Sequence, residues 1–138
     1  ATALFMACQN NHSEAVQELV TRHRNETDCN VRLYQRRHAT PLYVAAEMGY
    51  AQIVRLLLYE CEGLKLSEQE DEDAEGMNVS QTTPIHAACM NGHVDVVKVF
   101  MEYGITISVM DKSKEIRALS LHEVEPFCMN VHRRQSKV

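Results

Sequence analysis

The clearest pattern of hydrophobic and polar positions lies between residues 83 and 104. Thr83 and Pro84 suit the start of a helix, because threonine can cap free N–H groups and proline lacks the donor that would be unpaired there. Gly92 can take the left-handed conformation that ends a short helix. A second apolar stripe follows at helical spacing, formed by Val96, Val97, Phe100 and Met101. The pattern predicts two short helices joined by a tight turn.

The same pattern occurs twice more, starting at Thr2 and at Thr40. The starting threonines are 38 residues apart in the first interval and 43 in the second. In the second copy, the residues that the pattern predicts to be buried are Leu42, Ala45, Ile53, Val54, Leu57 and Leu58. In the first copy, Asn11 stands where the third copy has its turn glycine, and asparagine tolerates the left-handed conformation better than most residues. Three helix pairs are therefore expected.

These copies resemble ankyrin repeats. Thr-Pro-Leu-Tyr-Val-Ala at residues 40–45 and Thr-Pro-Ile-His-Ala-Ala at 83–88 are similar to the Thr-Pro-Leu-His-x-Ala signature of that family, whose period is about 33 residues. The resemblance implies an all-α ankyrin-repeat solenoid of about three helix-turn-helix repeats with hairpin fingers. The repeats are expected at residues 1–23, 39–60 and 82–104. The excess over the family period is expected in the connections between them.

The repeat domain is predicted to cover residues 1–118, with an acidic insertion at 62–80. Six of the eight residues from 68 to 75 are acidic. We therefore expect either a mobile loop there or an acidic binding site for a basic partner. Residues 119–138 are expected to form a degenerate fourth repeat or a disordered basic tail. Pro126 falls where the first helix of a fourth repeat should continue, and the sequence predicts that the helix ends or fails there.

Composition narrows the classes of partner and the compartment. The formal net charge is −5, which argues against nucleic acid or an anionic membrane as the main partner. No apolar run approaches the length of a membrane span. Five cysteines at no framework spacing suggest thiols in a reducing cytoplasm or nucleus. The chain does not begin with methionine, and Ala1 stands almost inside the first predicted helix, so we expect a segment of a longer chain.

Catalytic and metal chemistry find little support in the sequence. His86, Cys89 and His93 are spaced so that they lie near one helical face, but a closed zinc site needs a fourth ligand. The resemblance implies structural roles for both histidines, within the first turn and between the helices. No glycine-rich phosphate loop or Gly-x-Ser-x-Gly elbow is present. We expect no enzyme, no cofactor and no metal.

The resemblance implies a binding site for a protein partner in a concave groove. Three repeat positions on the first helices line that groove in the family, and here they correspond to Met6, Gln9, Asn10, Val44, Glu47, Met48, Ala87, Met90 and Asn91. A hairpin finger is expected to add Arg32, Tyr34, Arg36 and Arg37. The alternative is that these finger arginines are ordinary solvated surface.

The predicted function is that of a non-catalytic adaptor or scaffold for protein binding. The alternatives are a substrate-recruiting subunit of a ubiquitin ligase, or a regulatory ankyrin segment of a channel, kinase or transcription regulator. Asn30, in the sequence Asp28-Cys29-Asn30, also resembles the asparagine that is hydroxylated in ankyrin fingers.

Overall fold

The computed structural model describes residues 3–23, 40–61, 83–105, 107–110 and 116–136. These ranges contain three helix-turn-helix pairs, a short β-hairpin and a terminal helix. The first helices of the pairs are α1 (Ala3–Gln9), α3 (Pro41–Met48) and α5 (Pro84–Met90). The second helices are α2 (Ser13–Thr21), α4 (Ala51–Glu60) and α6 (Val94–Tyr103).

The three pairs stack side by side in chain order. Helix α1 packs on α3 and α3 on α5, while α2 packs on α4 and α4 on α6. Within each pair the two helices also contact each other. Each pair therefore buries its apolar face against the neighbouring pair, which is the arrangement of a repeat solenoid. The prediction of an all-α solenoid of helix pairs is confirmed.

The turns inside the pairs share one backbone geometry. Asn11, Gly49 and Gly92 all have positive φ, at 59°, 83° and 76°. After each of them, a backbone N–H reaches the carbonyl five residues earlier at 2.9 Å, in the bonds His12 to Ala7, Tyr50 to Ala45 and His93 to Ala88. Asparagine thus closes the first turn in the left-handed conformation, as the sequence predicted.

The threonines that open the first helices behave differently. The Oγ1 atom of Thr40 accepts a hydrogen bond from the Tyr43 N–H at 3.2 Å and caps α3. Thr83 makes no such cap, because its hydroxyl is hydrogen-bonded to Nδ1 of His86 instead. The prediction of a capping hydroxyl at Thr83 is therefore wrong, and the bond of His86 within the first turn is the one expected from the family.

One continuous apolar core runs through the stack. The aliphatic residues that the sequence predicted to be buried are at most 2% exposed, namely Leu42, Ala45, Ile53, Val54, Leu57, Leu58, Val96 and Val97. Phe5 and Val44 form a separate small cluster with Tyr43 beside it. The aliphatic stripes of the second helices therefore face adjacent repeats and not solvent.

A β-hairpin follows the third pair. Strand β1 (Ser108–Met110) pairs with β2 (Ile116–Ala118) in antiparallel register, with Val109 opposite Arg117. Beside the hairpin, the N–H of Leu119 donates to the carbonyl of Ile107 at 2.7 Å. The hairpin follows the third repeat and matches the kind of hairpin finger that the family resemblance implies.

The last helix, α7 (Leu121–Ser136), packs across both helices of the third pair. It contains Pro126, so the prediction that the helix ends or fails at this proline is wrong. Of the two alternatives for residues 119–138, the disordered tail does not fit as far as Ser136, because α7 is helical to that residue. Val124 and Cys128, one turn apart, are fully buried against the third pair. Their burial stabilises the helix enough to offset the hydrogen bond that proline cannot donate.

The cysteines are not all thiols. Cys8, Cys89 and Cys128 are free and buried, whereas Cys61 is disulfide-bonded. The expectation that every cysteine is reduced is therefore wrong for Cys61. This residue follows the end of α4 and is only partly buried, so its sulfur is not enclosed by the helix packing. The cytoplasmic or nuclear location that rested on reduced cysteines stays a prediction.

Candidate functional site

A row of side chains lies at the last turn of the three first helices. Met6 and Met48 are each 45% exposed, although methionine is more often a core residue. Asn10 and Asn91 are exposed at the ends of α1 and α5. Three further members of the row are half-buried, namely Gln9, Glu47 and Met90. Below, these seven residues are called the groove residues.

The two asparagines also terminate their own helices. The Nδ2 atom of Asn10 donates to the Met6 carbonyl at 2.9 Å, and Nδ2 of Asn91 donates to the Ala87 carbonyl at 2.8 Å. Each carbonyl also accepts the backbone N–H of the same asparagine, at 3.1 Å for Met6 and 3.2 Å for Ala87, so the amide adds a second bond to a carbonyl that is already paired. The side-chain oxygen of an asparagine whose amide nitrogen donates in this way can accept a hydrogen bond from a ligand.

Val44 and Ala87 do not belong to this surface. They are only 1% and 2% exposed, so the prediction that they contact a partner has to be corrected. Val44 and Ala87 occupy the same repeat position as Met6. Their helices each pack between two others, since α3 lies between α1 and α5, and α5 lies between α3 and α7. A neighbouring helix on each side covers this position in the second and third pairs, and Val44 packs on Phe5.

The finger that was expected to extend the groove lies outside the described residues. This applies to Arg32, Tyr34, Arg36 and Arg37, and also to Asn30 and the acidic insertion at 62–80. Their contribution to binding or modification stays a prediction.

The second helices carry surface contacts that the sequence analysis missed. Nη1 of Arg55 on α4 lies 3.4 Å from Oε2 of Glu102 on α6, and both side chains are about half exposed. The rings of Tyr59 and Tyr103 meet edge to face with centroids 5.2 Å apart. The sequence already indicated the contact between the tyrosine rings, because both residues stand near the ends of second helices in consecutive repeats. Exposed ion pairs of this kind contribute about 1 kcal/mol or less, so these contacts align neighbouring repeats only weakly.

Two family models match the sequence. The model described as "Ankyrin repeats (3 copies)" matches residues 1–70, and the model described as "Ankyrin repeat" matches residues 80–112. The matched segments contain all three helix pairs. The chain belongs to the ankyrin repeat family.

Three curated proteins are similar to this chain over part of their length. The sequence is 35% identical over 85 residues to alpha-latrocrustotoxin-Lt1a of Latrodectus tredecimguttatus, covering 62% of this chain and 5% of the toxin. It is 32% identical over 128 residues to the probable E3 ubiquitin-protein ligase XBOS32 of Oryza sativa subsp. japonica, covering 77% of this chain and 25% of the relative. It is 28% identical over 111 residues to human transient receptor potential cation channel subfamily A member 1, covering 80% of this chain and 9% of the channel subunit. The chain thus spans a quarter or less of each relative.

In these ankyrin repeats, the three side chains that suggested zinc turn to different neighbours. His86 bonds to Thr83, Cys89 faces Cys128, and the imidazole of His93 covers Gly49. Within the described ranges, no group of three or more His, Cys, Asp or Glu side chains is arranged to hold a metal ion. None of the described helices combines the length and hydropathy of a membrane span.

Burial and mutual contact set the thiol chemistry of the ankyrin core. Burial raises the pKa of the Cys8 thiol from its ordinary value of 9.0 to about 12. A hydrogen bond from Cys128 lowers the pKa of Cys89, against the opposing effect of burial. The same bond raises the pKa of Cys128, and burial raises it further. Cys89 is therefore the sulfur that ionises first in this pair.

Proposed function

We propose that this chain is a non-catalytic protein-binding module whose partner contacts the groove residues. Ankyrin repeats are protein-interaction modules. The observation that supports this site most directly is the half-exposed side chain of Met48, which stays open to solvent although α3 packs against a first helix on each side. Exposed large apolar side chains beside polar ones are typical of interaction surfaces.

The chemistry of the groove residues favours an extended segment of a partner protein. Methionine side chains are flexible and polarisable, so Met6 and Met48 can adapt to apolar side chains of irregular shape. Glu47 lies beside Met48 and can pair with a basic residue of the partner. The asparagine and glutamine amides supply hydrogen bonds to a peptide backbone. The net charge of −5 favours a basic protein segment over nucleic acid or an anionic membrane.

To test this proposal, peptides that bind the whole chain are selected by display. Their affinity is then measured for the chain and for its variants. Replacing Met6 and Met48 together by glutamine should raise the Kd at least about tenfold, since it removes two apolar contacts from the centre of the groove. Met129→Gln is the matched control, because Met129 is 39% exposed and belongs to α7 instead of one of the three first helices. It should change the Kd less than about twofold.

Labelling the methionine methyl groups with ¹³C gives an independent readout. Titration with a selected peptide should shift the signals of Met6 and Met48 and leave that of Met129 in place. If the peptides bind but the Met129 signal moves while those of Met6 and Met48 do not, the groove is not the binding surface.

A second candidate function follows from one of the relatives. Because the chain is 32% identical to a probable E3 ubiquitin-protein ligase over 77% of its length, it could recruit substrates to a ligase. This role requires that the protein containing this chain assembles ubiquitin chains in a reconstituted reaction with a conjugating enzyme. Peptide binding at the groove without ubiquitin transfer by the full-length protein would favour the adaptor.

Microscopy of the full-length protein would test the proposed cytoplasmic or nuclear location.

A further inference from the structure

Two free cysteines from distant parts of the sequence meet between α5 and α7. Cys89 is the penultimate residue of α5, and Cys128 lies in the middle of α7. Both belong to the continuous core, with 3% and 0% of their surfaces exposed. They are 39 residues apart in the sequence, so only the packing of α7 brings them together.

Contacts made by His132, close to both cysteines, hold α7 against the end of α5. One turn beyond Cys128, Nδ1 of His132 is 3.2 Å from the carbonyl of Met90, the residue that follows Cys89. The imidazole of His132 also covers Gly92, so closely that a β-carbon added there would lie 3.2 Å from the ring. Cys128 and His132 therefore lie on the same face of α7, directly over the end of α5.

The hydrogen bond between the two thiols shifts their pKa values in opposite directions. The Cys128 S–H donates to the sulfur of Cys89, and this bond lowers the pKa of Cys89 while it raises that of Cys128. The thiolate is the reactive form in exchange with disulfides. We write the exchange with Cys89 as the first nucleophile and Cys128 as the resolving thiol, and exchanging the two roles gives the same linked product.

Helix α7 is the element that has to move for a reagent to reach these sulfurs. It packs on α5 and α6 through one face, whereas Leu121 and Met129 on its other side are exposed. Pro126 inside it cannot donate a backbone hydrogen bond. An element that packs through one face opens locally at a lower free-energy cost than the whole fold.

We infer that Cys89 and Cys128 form an oxidation site at which a low-molecular-weight disulfide such as glutathione disulfide joins the two sulfurs and fixes α7 onto α5. This inference is independent of the proposed groove. The Cys89 thiolate attacks one sulfur of glutathione disulfide, forming a mixed disulfide and releasing one glutathione thiolate. The Cys128 thiolate then attacks the Cys89 sulfur and releases the second glutathione. Two protein thiols are oxidised, one glutathione disulfide is reduced, and the two thiol protons pass to the released glutathiones.

The experiment uses the whole chain in buffers with increasing ratios of oxidised to reduced glutathione, followed by alkylation of remaining thiols and peptide mapping by mass spectrometry. A peptide linking Cys89 to Cys128 should accumulate, while Cys8 is recovered alkylated. Hydrogen exchange of α7 should slow by about tenfold or more after linkage, and dithiothreitol should reverse the change. Recovery of Cys89 and Cys128 as free thiols or as separate glutathione adducts, from a chain whose circular dichroism is unchanged, would overturn the inference.

Three variants separate the roles of the residues. Cys128→Ser should stop the reaction at one glutathione on Cys89, with no change in the exchange of α7. Cys8→Ser is the matched control, because Cys8 is buried at the same repeat position as Cys89, and it should give the linked peptide in unchanged yield. His132→Ala should form the link about fivefold faster, since loss of its bond to Met90 makes opening more frequent. An unchanged rate in His132→Ala would contradict the requirement for opening.

Discussion

At the scale of single residues, Gly49 shows how closely the turns of neighbouring repeats pack. Its φ of +83° is in the left-handed region, and a β-carbon there would lie 2.6 Å from Nδ1 of His93. Gly104 has a φ of +113°, but nothing lies within 4 Å of the position of its β-carbon. Both glycines therefore have a positive φ that disfavours other residues, but only at Gly49 would a side chain also collide with a neighbour.

Gly49→Ala should lower the free energy of unfolding by more than Gly104→Ala does. A left-handed alanine costs about 1–2 kcal/mol at either position, and displacement of the His93 imidazole adds to this cost only at residue 49. Urea unfolding of the two variants measures the difference. The argument fails if Gly104→Ala is equally destabilising, and His93→Ala combined with Gly49→Ala should recover part of the loss.

The buried thiol of Cys8 makes stability depend on alkaline pH. Its pKa is about 12 in the folded chain against an ordinary value of 9.0. Because the neutral thiol is favoured by folding, its contribution is fully present below pH 9 and is lost as the pH rises from 9 to 12. Wild-type stability should fall by up to about 1.4 kcal/mol per pH unit more steeply than that of Cys8→Ala. Urea unfolding of both proteins at pH 7, 10 and 11 tests this, and parallel curves would contradict it.

At the scale of elements, α4 shows that stability comes from one helical face. Leu57 is fully buried in the core, whereas Gln52 on the same helix is exposed. Leu57→Ala should cost about 2–5 kcal/mol, from lost burial and the cavity that remains. Gln52→Ala should change stability by less than about 0.5 kcal/mol. Chemical denaturation followed by circular dichroism compares the two, and similar midpoints would show that α4 is not packed as described.

At the scale of the whole molecule, stability should vary along the stack. Helices α3 and α4 pack against neighbouring pairs on both sides, whereas α7 packs through one face at the end of the described chain. In a solenoid, the stability of each repeat depends on the interfaces with its neighbours. Hydrogen exchange should therefore be slowest in α3 and α4 and faster in α2 and α7. A single exchange rate for all core amides would instead indicate that the stack opens only as a unit.

Much of this architecture could be predicted because its determinants are local. The spacing of Ile53, Val54, Leu57 and Leu58 already assigns the buried face of α4. A left-handed residue at Asn11, Gly49 and Gly92 is required by the turn itself and needs no information from other parts of the chain. The repeat position that the family resemblance implies for Met48 lies at the exposed end of α3, and its role in binding stays a prediction.

The predictions that failed depended on neighbours in space. Val44 and Ala87 share a repeat position with Met6, but only packed helices on both sides bury them. Pro126 is unfavourable inside an isolated helix, yet burial of Val124 and Cys128 outweighs that local cost.

The sequence by itself determined the helix pairs, their turns and the aliphatic core, since each follows from residues within one repeat. Tertiary structure alone decided which groove positions reach solvent, that α7 covers the third pair, and that Cys89 meets Cys128. Those outcomes depend on contacts between residues far apart in the chain, and hydrophobic periodicity carries no information about which distant faces meet.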